Sequence, residues 1–317
     1  ELHYQPKANL RSGEVVGVEA LIRWRHPQLG LLLPDAFLPA IEEHPLAIRL
    51  GDWVLDRALT DLTVWQAAGL AIPVSVNVFA RQLLEDGFSE RLAALLAAHP
   101  GVSPEQLELE ILESAALRDL PKVSAVMESC KNLGVRFALD DFGTGYSSLT
   151  YLKHLPADTL KIDQSFVRDM LEDHNDLAIV EGILGLANAF RRQVVAEGVE
   201  TLQQGTLLLQ LGCRFAQGYG IARPMPAADI GTWIATWRTE PAWARQDRVP
   251  YDCVPVLYAA AEHRAWIRQI ELVVRGQETT LTTMDQDQCR FGAWLKEQTV
   301  THQDDLTPFA DLANLHR

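Results

Sequence analysis

Cysteine is scarce. Only Cys130, Cys213, Cys253 and Cys289 occur among 317 residues. Four scattered thiols make no disulfide framework and point to a reducing compartment. Basic residues are short too: 28 Lys and Arg face 42 Asp and Glu, for a formal charge of −14. Neutralising a phosphate backbone or an anionic membrane takes clustered Lys and Arg, so the balance argues against DNA and membrane-surface partners. A small anion held by a few local cations is still allowed. No apolar run is long enough to cross a bilayer, so no membrane insertion is expected. No Gly-x-Gly-x-x-Gly turn follows the first strand-like run, which counts against a dinucleotide-binding fold. The chain opens at Glu1, already strand-like, with no initiator Met or signal peptide. It reads as a cytoplasmic fragment of a longer protein.

What the chain has is ample apolar residues, 48%, with 22% charged, enough for a sizeable core. Strand-like runs fall at 2–5, 15–21, 73–78, 107–112, 135–139, 159–163, 193–197 and 213–219. Helical patterns fall at 34–43, 46–68, 81–98, 122–133, 175–190 and 202–211. Eight such units over about 230 residues favour an α/β (β/α)8 TIM-like barrel over an open sheet. Composition changes after residue 237. The expected division is a barrel over 1–237, a linker over 238–253 and a small all-helical module over 254–317, with helical patterns at 254–275, 289–296 and 306–315.

The organising stretch is 135–148. A short buried strand ends in Asp140-Asp141, followed by a glycine-bracketed turn, Gly143-Thr144-Gly145. Two like charges about 4 Å apart repel by roughly 4 kcal/mol at an effective dielectric near 20. Either one carboxyl keeps its proton or a cation sits there. Taken alone, the pair also reads as a helix cap. However, nearly every strand carries a polar residue at or near its end: Glu19, Asn77, Glu110, Asp140 with Asp141, Lys161, Glu197 and Gln217. In a barrel these ends converge on one mouth. Five carboxylates and one amide are hard ligands suited to Mg²⁺ or Mn²⁺. Two ions bridged by Asp140 would suit phosphodiester hydrolysis. Lys161 offers a point cation for a water or a developing charge, and Arg23 a planar fork for a phosphate.

The blocks Tyr4-Gln5-Pro6, Glu19-Ala20-Leu21 with Arg23, Ser75-Val76-Asn77, Leu109 to Ser114, Asp140 to Gly145, Leu160 to Asp163, Ala196 to Glu200 and Gln217-Gly218-Tyr219 occur in this order. Together they resemble the EAL-domain cyclic-di-GMP phosphodiesterases over residues 1–237. The resemblance implies cleavage of cyclic di-GMP to linear pGpG and a first strand antiparallel to the rest. It implies that Glu19, Asn77, Glu110 and Asp140 hold one metal, and that Asp140, Asp141 and Glu197 hold the second. It implies that Lys161 and Glu197 position water, that Gln5, Leu21, Arg23 and Gln217 contact the dinucleotide, and that Glu113 anchors the loop after Asp141. A homodimer using that loop is implied as well. Leu112 departs from the family's usual Thr, and Gly220-Ile221-Ala222 from a bulkier run.

The tail carries His263, Trp266, Cys289-Arg290-Phe291-Gly292-Ala293-Trp294-Leu295 and His316. One His on a helix face is usually a surface or core residue. The pattern as a whole resembles the chemoreceptor zinc-binding (CZB) module. That resemblance implies His263, Cys289 and His316 as Zn²⁺ ligands. The family's fourth ligand would fall beyond Arg317, and His302 is a weak substitute. The expected function is zinc-regulated hydrolysis of cyclic di-GMP. The alternative is an inactive receptor for the same dinucleotide, signalling through protein contacts.

Overall fold

The computed structural model describes residues 1–145, 149–277 and 294. Eight strands close a barrel. β1 (Leu2–Asn9) and β2 (Val15–Ile22) form an antiparallel hairpin. A separate small hairpin follows, β3 (Trp24–His26) with β4 (Gly30–Leu32). The barrel resumes with β5 (Val74–Asn77), β6 (Leu107–Leu112), β7 (Arg136–Phe142), β8 (Thr159–Ile162), β9 (Gln193–Ala196) and β10 (Phe215–Ala216). From β2 through β5 to β10 each strand pairs in parallel with the one before. β10 then closes on β1 antiparallel, with Ala8 opposite Ala216. The result is a TIM-like barrel of seven parallel strands and one reversed. β11 (Met225–Pro226) pairs with the start of β1.

The helices are α1 (Leu46–Ala67), α2 (Ala80–Leu83), α3 (Phe88–Ala98), α4 (Glu113–Ala116), α5 (Leu120–Lys131), α6 (Leu149–His154), α7 (Gln164–Asp169), α8 (His174–Phe190), α9 (Leu202–Leu211), α10 (Ala227–Thr236), α11 (Pro241–Ala244) and α12 (Val254–Val274). Strands buried on both faces need apolar residues outward and fitted polar groups inward. In β6, Leu107, Leu109 and Ile111 alternate with Glu108 and Glu110, and all five are buried. α1 answers with a buried stripe of Val54, Leu55, Ala58, Leu59, Leu62 and Trp65, the spacing of one helical face. α9 opens on a capping box in which Thr201 and Gln204 bond each other's backbone, and Gly212 ends it in the left-handed region, φ 98°.

Three expectations change. Residues 34–43 form two 3₁₀ turns, Pro34–Ala36 and Leu38–Ala40, instead of one helix. Pro39 lacks an N–H and would strike the preceding helical turn. The helix expected over 81–98 splits into α2 and α3 at Gly87, whose φ of 78° no helix accommodates. The stretch expected as a linker is fastened to the barrel. Trp243 in α11 is 1% exposed, and its indole Nε1 donates to Leu202 O at 3.0 Å. Gly205 makes room for it, since a Cβ there would lie 2.4 Å from the ring.

α12 lies on α8. Tyr258 Oη donates to Glu181 at 2.6 Å, Arg264 Nε donates to Leu171 O at 2.7 Å, and Arg268 pairs with Glu172. The Trp294 indole donates to Asp252 O at 2.7 Å. Apart from Trp294, the helical patterns at 289–296 and 306–315 lie outside the described residues, as do Cys289, His302 and His316.

Candidate active site

Adjacent residues on a strand point to opposite faces, so Asp140 and Asp141 should not share a mouth. A bulge in β7 removes the difficulty. The β7–β8 register slips between Leu139 and Phe142, and Asp141 takes φ 52°. The extra residue and the left-handed turn bring both carboxylates to one side. One oxygen each from Glu19, Glu110 and Asp140 lie within 4.8 Å of one another, and so do one each from Asp140, Asp141 and Glu197. Asp140 is common to both groups. Asn77 Nδ2 donates to Glu19 Oε1 at 2.7 Å, which puts the amide beside the first group.

Lys161, 1% exposed, sits among these acids. Its Nζ is 2.7 Å from Glu110 Oε2 and from Glu197 Oε1, 3.1 Å from Asp140 Oδ1 and 3.5 Å from Glu19 Oε2. Burial alone would lower its pKa, but Asp140, Glu110, Glu19 and Glu197 together raise it well above the usual lysine range. Burial pushes the carboxyls of Glu110, Asp140 and Glu197 up, and their acidic neighbours add to the rise. Asp141 is pushed up to about 7 by burial, then by Asp140 and Asp163. One ammonium does not balance five carboxylates. Surplus negative charge on hard oxygen donors is what divalent cations neutralise, so this donor set fits two of them.

Two cavities flank the mouth. One, of about 250 Å³, is lined by residues including Gln5, Glu197, Gln217 and Tyr219. The other, of about 460 Å³, is lined by residues including Asp35, Phe79, Leu112 and Arg118. Leu21, Asp140 and Gln164 line both. Gln217 Nε2 donates to Glu19 Oε2 at 2.6 Å and to Gln5 Oε1 at 2.9 Å, and Gln5 Nε2 donates to Ala222 O at 2.9 Å. Gln5, Leu21 and Gln217 are thus brought to the mouth. Arg23 is not at either cavity wall: it is buried, and its Nη1 donates to Ile22 O at 2.9 Å. Glu113 Oε2 accepts from Gly143 N at 2.9 Å. His263 stands on α12 with Nδ1 2.9 Å from Ala259 O, one turn back. The other two tail residues of its set lie outside the described residues.

A buried layer beneath the mouth escaped the sequence reading. Lys7 Nζ donates to Glu108 Oε2 at 2.9 Å, to Glu110 Oε1 at 3.4 Å, and to Ser75 Oγ. Glu108 also accepts from Ser75 Oγ at 2.6 Å and Thr159 Oγ1 at 2.8 Å. Burial would push Glu108 up, but Lys7 and the two hydroxyls outweigh it and hold it at about 2. The signal was available as alternation: Lys7 is two residues from Gln5, and Glu108 two from Glu110.

Comparison with known proteins agrees with this geometry. The sequence model of the EAL domain matches residues 1–224. The bifunctional diguanylate cyclase/cyclic di-GMP phosphodiesterase MucR of Pseudomonas aeruginosa is 44% identical over 235 residues, 74% of this chain and 34% of its own length. The cyclic di-GMP phosphodiesterase NbdA of the same organism is 41% identical over 243 residues, 76% of this chain and 31% of its own. The chain therefore spans about a third of the length of these relatives. A solved structure described as the PaMucR phosphodiesterase in complex with c-di-GMP superposes with a TM-score of 0.70 at 43% identity, covering 73% of this chain and 93% of that one. On the matched span, the barrel with its reversed first strand, and these relatives, the chain belongs to the EAL domain family.

Proposed function

We propose that this protein hydrolyses cyclic di-GMP to linear pGpG with two divalent cations, Mg²⁺ or Mn²⁺. The observation that carries the reading is the full set of oxygen donors around Lys161, set between two cavities. The names of the relatives and the dinucleotide complex of the solved structure support it. Glu19, Asn77, Glu110 and Asp140 would hold one ion, and Asp140, Asp141 and Glu197 the other. Such a pair lowers the pKa of a water and offsets charge on the phosphoryl oxygens. Lys161 and Glu197 orient the attacking water. As it adds to phosphorus, one phosphodiester P–O bond breaks and the departing oxygen takes up a proton. Gln5, Leu21, Arg23 and Gln217 would contact the dinucleotide across the two cavities. Glu113 holds the turn that carries Asp141 through Gly143 N–H, a supporting contact of the kind that orients ligands.

Purified protein with Mg²⁺ and cyclic di-GMP tests this directly. Production of pGpG is expected, and Glu19→Ala is expected to abolish it. Tight binding without pGpG would make the chain a receptor instead. Normal turnover in Glu19→Ala would refute the metal assignment.

The finer reading is a cytoplasmic homodimer whose activity responds to Zn²⁺ through a CZB-like tail with His263, Cys289 and His316 as ligands. The docking of α12 on α8 and the turn before it supports a route from tail to barrel. Zinc content should fall in Cys289→Ala. Equal zinc in both proteins would eliminate the site, and a monomer by light scattering would eliminate the dimer.

A further inference from the structure

We propose that Glu108 and Lys7 set the divalent-cation affinity of the mouth: Glu108 restrains the Lys7 ammonium and thereby keeps it from competing with a cation for Glu110. This rests on the two-cation reading above. Neither residue belongs to the donor set. They form the layer below it, on the same interior faces of β1 and β6.

The distances state the arrangement. Glu110 is 0% exposed and bracketed by two ammoniums, one per oxygen: Lys161 on Oε2 at 2.7 Å and Lys7 on Oε1 at 3.4 Å. Lys7 is seated closer to Glu108, at 2.9 Å. Glu108 is itself tied on both oxygens, Oε1 by Thr159 and Oε2 by Ser75. Lys7, Ser75, Glu108 and Thr159 are all buried. No bulk water screens the group, and charges act strongly over short distances there.

An ammonium that moved fully onto Glu110 would compete with a cation for the same carboxylate and repel it as well. Glu108 prevents both effects. It fixes the position of Lys7 and cancels its charge, so the lower layer is neutral toward the mouth. A buried pair with no third party could be replaced by neutral groups without consequence for a neighbouring site. Here the third party is Glu110.

The test is calorimetric titration of the full chain with Mn²⁺ and no substrate. Glu108→Gln leaves Lys7 with Glu110 as its one carboxylate partner of the two, and should weaken Mn²⁺ binding at least about tenfold. Adding Lys7→Met to that variant removes the competitor. The double variant should return to within roughly threefold of wild type. Thr159→Val, nearly isosteric, loosens Glu108 and should weaken binding by about threefold. Wild-type affinity in Glu108→Gln overturns the proposal. So does a double variant as weak as the single one, because a merely structural layer gives no rescue. If circular dichroism finds Glu108→Gln unfolded, wild-type affinity in Thr159→Val overturns it. A wild-type chain that binds no Mn²⁺ overturns the two-cation reading and this inference together, whereas Mn²⁺ binding insensitive to these changes overturns this inference alone.

Discussion

Replacing Lys161 by Met should destabilise the metal-free protein and increase its response to a divalent cation. Lys161 is 1% exposed and has four carboxylate partners within 3.5 Å. Removing one partner of a buried ion cluster costs about 3–5 kcal/mol. The lower end applies here. Glu110, Asp140 and Glu197 are already pushed upward, and proton uptake by one of them relieves part of the repulsion. At about 2–4 °C per kcal/mol for a domain of this size, a loss of about 3 kcal/mol lowers Tm by about 6–12 °C. A cation binding the folded form alone restores about 2.7 kcal/mol at one hundred times its Kd. In the variant that cation no longer meets a competing ammonium, so its gain should exceed that of wild type. Thermal melts of both proteins in EDTA and in excess Mn²⁺ measure the two quantities. Melting of the variant within about 2 °C of wild type in EDTA, or an equal gain from Mn²⁺ in both, would refute the reasoning.

Glu113→Gln weakens the acceptor for Gly143 N–H; turnover should drop by about 10–100-fold, the usual effect of losing a supporting contact at a metal site, and unchanged kcat would remove Glu113 from that role. Gly143→Ala should lower both activity and Tm, because φ is 103° and a Cβ would lie 3.0 Å from Ile183 and 3.1 Å from Phe166; a fully active variant with wild-type Tm would contradict this strain. Trp243→Ala should cost about 3–5 kcal/mol, read from urea unfolding, because the indole is buried against Gly205 in α9. A loss below about 1 kcal/mol would return 238–253 to the status of a loose linker.

The architecture was legible because barrel strands announce themselves. Largely buried runs such as Leu107–Leu112 and Val74–Asn77 sit between amphipathic helices, and each carries a polar residue at or near its end. The same rule brings Glu19, Asn77, Glu110, Lys161 and Glu197 toward one mouth on strand order alone. Local steric facts were harder to weigh. Pro39 and Gly87 each interrupt an otherwise helical pattern, and the interruptions prevailed. Trp243 looked like linker composition because its partner, Gly205, lies 38 positions earlier, and no periodicity connects them. Arg23 follows the β2 signature closely, yet its guanidinium turns back onto Ile22 O.

By itself the sequence determined the α/β alternation, the strand-end acids and the surplus of negative charge that calls for cations. These follow from residue type and local period. Tertiary structure alone decided which groups meet. A period of two would send Asp140 and Asp141 to opposite faces. A bulge defined by pairing with β8, with Asp141 at φ 52°, brings them together. The contact between Lys7 and Glu108 spans 101 positions and depends on barrel closure. Strand register, set by packing across the whole sheet, decides such meetings, and no local pattern carries that information.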